Sequence, residues 1–111
     1  MRIDGIDHLY VETNAWEASV DFWTQLGFSQ ASEWGQPGHR AGRFEAGAAA
    51  VVLAEASGSA PAMALHFAVH GADGSEDLPG VVTPLEDTHW GTRWIRVQDP
   101  DGRVHVLEQD G

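Results

Sequence analysis

Residues 5–28, "GIDHLYVETNAWEASVDFWTQLGF", decide the fold, because the hydrophobic period changes within them. Residues 5 to 13 alternate and are rich in β-formers, which predicts a strand. Ile6, His8, Tyr10 and Glu12 share one face of it, and Asp7, Leu9 and Val11 the other. From residue 14 the spacing becomes helical, with Trp16, Val20 and Trp23, and with the pair Phe22 and Leu26. Asn14 followed by Glu17 has the form of a capping box, and Gly27 supplies a left-handed stop.

Extended pieces follow at 28–35, 40–47 and 48–56, the last apolar enough to be buried on both faces. The small residues of 57–62 form a natural seam between two halves. The second half opens with "MALHFAVHG", 63–71, in which Ala64, His66, Ala68 and His70 share one face. The next stretch, "ADGSEDLPG", is too rich in Gly, Pro and Asp for more than a turn of helix. Strands at 81–88, 90–98 and 103–109 complete the chain, the last two joined by "DPDG", a hairpin signal. Element order therefore repeats after about 55 residues. The reading is α+β: one domain over 1–111, built of paired βαβββ modules at 1–56 and 63–111, the second helix reduced. Two such sheets side by side, each curled away from its helix, make a curved mixed-sheet cup.

Composition narrows the function. The chain has 17 acidic and 6 basic side chains, for a formal net charge of −11. Nucleic acid is not expected as a partner, since phosphate binding needs a basic surface. A cationic small molecule fits the charge, which concentrates counter-ions; solubility alone is the plainer explanation. Without cysteine there are no disulfides, thiolate metal sites or cysteine nucleophiles. No apolar run approaches a membrane span and no signal peptide opens the sequence, so a cytoplasmic protein is expected. There is no glycine-rich phosphate loop and no nucleophile elbow. Glu86 and Asp87 read as solvated surface.

The stretches "IDHLYVETNAWEASVDFWTQLGF" and "HWGTRWIRVQDPDGRVHVLEQ" resemble the vicinal oxygen chelate superfamily of glyoxalases, bleomycin-resistance proteins and dioxygenases. The cadence of the second is closest to the bleomycin-resistance branch. The resemblance implies a cup between sheets and a homodimer. In that branch it also implies drug binding with no metal, cofactor or chemistry. In metal-using relatives it implies ligands on the first, fourth, fifth and eighth strands. Those positions fall on His8, Leu53, His66 and Val106. Leu53 and Val106 cannot coordinate. Glu108 shares the parity of Val106 but lies two residues on, about 6.6 Å along the strand. His105 has the opposite parity and reaches the cup only if the hairpin register slips. Two credible ligands are fewer than the three a catalytic metal needs.

The remaining cup-facing candidates suit binding. His8 and Tyr10 come from strand one, Leu53 and Glu55 from strand four, and His66 from strand five. Trp94 and Arg96 share a face of strand seven, and Glu108 lies on strand eight. Trp34 and Trp90 lie near turns, where pocket mouths form, and could stack on a planar ligand. The alternative use of these indoles is dimer packing. The expected protein is a homodimer that binds, and sequesters, an aromatic or cationic antibiotic or metabolite. The competing expectation is a metal-dependent lyase, isomerase or dioxygenase using His8 and His66. A metal-free enzyme would use His8 or Glu55 as a general base.

Overall fold

The structure, a computed structural model, describes residues 1–58, 62–98, 100 and 102–110. Among the described residues, eight strands, one α-helix and a short 3-10 turn follow in chain order. They are β1 (Arg2–Thr13), α1 (Trp16–Leu26), β2 (Ser29–Trp34), β3 (Ala41–Ala46), β4 (Ala49–Glu55), β5 (Met63–His70), β6 (Val81–Asp87), β7 (Thr92–Gln98) and β8 (Val104–Asp110). The mixed α+β class and the single full helix agree with the sequence reading. Where a second helix would stand there is only the turn Ser75–Asp77. Residues 99 and 101 of the "DPDG" hairpin lie outside the described residues, and Gly102 has the positive φ of 91° that such a turn asks of glycine.

The chain clusters into two units, His8–Met63, and Met1–Asp7 with Ala64–Gly111. The division near residue 63 falls just after the small residues of 57–62. The first seven residues, expected in the first module, cluster instead with the second half.

In the unit His8–Met63 the strands run β2-β3-β4-β1. β1 and β4 are parallel, with Val11 opposite Leu53, and the other pairs are antiparallel. Helix α1 covers one face, where Trp16, Phe44 and Leu53 are buried and Val11, Val20, Trp23 and Phe28 pack around them. Phe22 and Leu26, at helical spacing in the sequence, are exposed. The capping box does not form. Asn14 instead donates to the Gly58 carbonyl, 2.9 Å away. Thr13 holds the turn that leads into the helix, its hydroxyl accepting the Ala15 N–H and bonding Ser19 Oγ at 2.6 Å. Gly27 ends the helix at φ 112°, as the sequence predicts.

In the other unit the order is β1-β5-β8-β7-β6. β5 and β8 are parallel, β8 and β7 antiparallel. Alternation puts Val69, Ile95 and Leu107 into one core, joined by Ala72 and flanked by Phe67, Leu78, Val81, Leu85 and Val97. The Gly71–Gly80 segment thus supplies part of the cover that a second helix would have given, through Ala72 and Leu78. Gly80 locks that segment to β7. Its carbonyl accepts the Gln98 N–H at 2.7 Å, its φ is +71°, and a Cβ there would stand 2.3 Å from the Gln98 oxygen. Among the described residues no helix is long and apolar enough to cross a membrane.

Candidate ligand pocket

The face of β5, β8 and β7 opposite that core carries the polar side chains. His66 pairs with Val106 and Ala68 with Glu108, while Trp94 stands opposite Glu108 from the other side. The register of β8 is thereby fixed: Glu108 shares the His66 face, and His105 pairs with Val97 of the core side. His105 instead accepts the Leu65 N–H through Nδ1.

Glu108 is the best-held group of this face. Its Oε2 accepts the Thr92 hydroxyl at 2.6 Å and the Trp90 indole N–H at 2.8 Å. Its Oε1 lies 3.8 Å from His66 Nδ1, and both side chains are largely buried. The His66 imidazole first, and then the Thr92 and Trp90 donors, hold the carboxyl at about 2, against the opposing effect of burial. Glu108 is therefore an anion at every physiological pH. Trp90 continues into an aromatic series, edge to face with His89 at 4.7 Å and with Trp94 at 5.2 Å. The Trp94 N–H is taken at 2.8 Å by Glu86, which is exposed, in keeping with the solvated surface expected of it.

Beside these groups, wholly within the same unit, lies a pocket of ≈ 430 Å³. Its lining includes the acidic residues Asp4, Asp7, Glu108 and Asp110, the histidines His66 and His70, and Trp90 with Thr92. His70 Nδ1 meets Asp4 Oδ2 at 2.9 Å, and Arg2 donates to the same carboxylate at 3.0 Å. The His70 hydrogen bond, followed by that of Arg2, lowers the Asp4 pKa.

Of the ten residues singled out in the sequence, this pocket gathers His66, Trp90 and Glu108. Trp94 packs against Trp90 and is not part of the lining, and Arg96 donates to Thr83 Oγ1 at 3.2 Å. The others belong to the unit His8–Met63. Leu53 was expected to face a ligand, but it is wholly buried beneath α1. The parity chosen for β4 was wrong by one residue, because Leu53 aligns with Val11 on the helix side of β1. Glu55 shares that parity, and its carboxylate is spent on structure. It holds Arg40 through Nε at 2.9 Å and Nη2 at 3.0 Å, and accepts the backbone N–H groups of Gly38 and Arg40. These donors, the Arg40 side chain foremost, hold Glu55 at about 2, which removes it as a general base. The Arg40 guanidinium also sits 5.4 Å over the Trp16 ring. Tyr10 and His8 lie half-buried on β1, where burial, and then Glu12, raise the Tyr10 phenol. Trp34 ends β2 half-exposed.

Sequence reasoning missed Asp4, Asp7, His70, Thr92 and Asp110 as pocket residues. Alternation alone could have supplied His70, Thr92 and Asp110, which share parity with His66, Trp94 and Glu108. Asp4 was lost because the first strand starts three residues earlier than its alternation shows.

The donor set does not fit a catalytic metal. The lining holds two separate imidazole–carboxylate contacts, His66 with Glu108 and His70 with Asp4, and Glu108 Oε2 already accepts two hydrogen bonds. Among the described residues no three metal-ligating side chains converge.

The profile of the Glyoxalase/Bleomycin resistance protein/Dioxygenase superfamily matches residues 5–80. No curated protein gives a significant match. Several solved structures share the fold. A glyoxalase/bleomycin resistance protein/dioxygenase superfamily member from Vibrio splendidus 12B01 is 18% identical, with 93% of this chain and 97% of that one covered at a TM-score of 0.74. Methylmalonyl-CoA epimerase from Mycobacterium tuberculosis is 16% identical, with 98% and 89% covered at 0.73. A hypothetical protein from Bacillus halodurans C-125 is 12% identical, with 96% and 94% covered at 0.73. At these identities the likeness concerns the fold alone.

Proposed function

The chain belongs to the Glyoxalase/Bleomycin resistance protein/Dioxygenase superfamily, and within it we propose a small-molecule binding protein whose ligand is a planar organic cation. The carrying observation is one pocket whose lining includes four acidic residues and a half-exposed tryptophan. The indole N–H is already committed to Glu108, so a ligand would meet the exposed half of the ring. A π face beside fixed anions favours a flat, positively charged group through stacking and cation–π attraction. Trp90, one of the indoles expected to stack on a planar ligand, lines this pocket, and Trp34 does not. Because Glu108 is bound by three neighbours before any ligand arrives, the negative wall is preorganised. The net charge of −11 adds long-range attraction for a cation. The biological role that follows is sequestration of a cationic aromatic antibiotic or toxic metabolite, with no bond made or broken.

The test uses thioflavin T, a flat dye with a permanent positive charge, and an uncharged benzothiazole of similar shape. The dye should bind roughly tenfold or more tightly than its neutral analogue, and less tightly at high salt. Trp90→Ala should weaken dye binding several-fold, the scale of one stacking contact. Equal affinity for charged and neutral forms, or an unaltered dye affinity in Trp90→Ala, would refute the reading.

A further inference from the structure

The geometry points to a ligand whose charge sits on an N–H-bearing group attached directly to a flat ring, as in an aryl amidinium, with Glu108 Oε1 accepting that N–H. The inference rests on the cation-binding reading above and names the kind of cation.

The two oxygens of Glu108 are not equivalent. A carboxylate offers about four acceptor positions, roughly two on each oxygen. On Oε2 both are taken, by the Thr92 hydroxyl at 2.6 Å and the Trp90 indole N–H at 2.8 Å. At Oε1 the neighbour is His66 Nδ1, 3.8 Å away, close enough for an ion pair and too far for a hydrogen bond. One imidazole N–H drawn closer would fill one position, so Oε1 keeps room for a further donor. Glu108 belongs to the pocket lining, and its side chain stays 22% exposed. The acceptor left for a ligand is accordingly Oε1.

The same carboxylate selects the donor. His66, then Thr92 and Trp90, hold Glu108 at about 2 against burial, so it is an anion at neutral pH. An N–H of a cation on an anionic oxygen makes a bond about twice as strong as one between neutral groups. A quaternary nitrogen brings the charge and no donor. It would displace water from Oε1 and leave that acceptor unmet. Trp90 sets the reach. Its indole N–H ends on Glu108, so the edge of the ring and the carboxylate adjoin. A flat ligand against the exposed half of Trp90 therefore brings a group fixed to its own ring beside the carboxylate. A cationic head on a flexible tether would lose rotamer freedom to reach the same place.

Calorimetric titration at neutral pH compares three probes built on one naphthalene ring. The naphthyl amidinium has charge and N–H, the naphthyl trimethylammonium has charge alone, and the naphthyl carboxamide has N–H alone. Wild type should bind the amidinium roughly tenfold or more tightly than the trimethylammonium, the scale of one hydrogen bond to a charged group. The carboxamide should bind most weakly. In Glu108→Gln the ratio between the two cations should fall toward one. In Asp4→Asn, which removes a carboxylate of the same lining, both cations should weaken alike and the ratio should keep its wild-type value. Equal affinity of the two cations for wild type, or a wild-type ratio in Glu108→Gln, would overturn the N–H assignment and leave the cation site standing. A ratio that collapses in Asp4→Asn would also overturn it, by moving the acceptor to Asp4. An amidinium that binds no more tightly than the carboxamide would overturn both readings. Circular dichroism checks the fold of each variant; should Glu108→Gln unfold, the wild-type ratio and Asp4→Asn decide.

Discussion

Replacing Glu108 by Gln tests whether the pocket wall is built around an anion. The carboxyl moves from 4.5 to about 2 on folding, which at full strength would contribute about 3 kcal/mol at neutral pH. The side chain keeps 22% of its exposure, and screening reduces the expected share to about 1–2 kcal/mol. The sign is fixed by the direction of the shift. A folded-state value below the unfolded one gives stability that is complete above about 4.5 and is lost as pH falls toward 2. Glutamine retains a carbonyl acceptor for Thr92 or Trp90 but no charge for His66. Urea unfolding at about pH 7 should therefore place the Glu108→Gln midpoint about 1 M below wild type. The gap should narrow steadily as the pH is lowered below about 4.5, because wild type then loses what the variant never had. Coincident curves at neutral pH would refute the anion-centred wall. A gap that stays constant with pH would show that Glu108 acts through packing instead of charge.

Three further outcomes follow from the same coordinates. Leu53→Ala should cost about 2–5 kcal/mol in urea unfolding, as for a fully buried core leucine, while dye affinity of the folded fraction stays at the wild-type value. Gly80→Ala should destabilise by more than about 1 kcal/mol in thermal melts, since it adds a Cβ against the Gln98 carbonyl at positive φ. Glu55→Gln should lower the melting temperature at neutral pH by freeing Arg40. The difference should shrink below pH 4.5, toward the value of about 2 at which wild-type Glu55 itself takes up a proton.

The fold was legible because its signals are periodic. The change of period at residue 14 locates β1 and α1 to within three residues, and Gly27 marks the stop. The reduced second helix was legible from composition, since "ADGSEDLPG" cannot sustain two turns. The capping box failed because the Asn14 side chain is taken by the Gly58 carbonyl, a partner far away in the sequence, and the helix starts at Trp16 with no side-chain cap. In β4 the run "AVVLA" is apolar on both faces, so alternation gave no parity and Leu53 was assigned to the wrong side. In β8 alternation of apolar and polar residues gave the right parity, and Glu108 rather than His105 shares the His66 face. The pocket was the least legible part. Its acids come from β1 and β8, and only pairing to the intervening β5 brings them together.

The central claim is that the cation sits against Trp90 beside Glu108. The chain holds five tryptophans, so five indole N–H resonances report on five places at once. A nitrogen–proton correlation spectrum should be recorded during titration with thioflavin T and with its neutral analogue. The Trp90 indole signal should shift most with the cation, Trp94 less, and Trp16, Trp23 and Trp34 hardly at all, with little response to the neutral compound. A dominant shift at Trp34 or Trp23, or equal shifts for charged and neutral compounds at Trp90, would contradict the account.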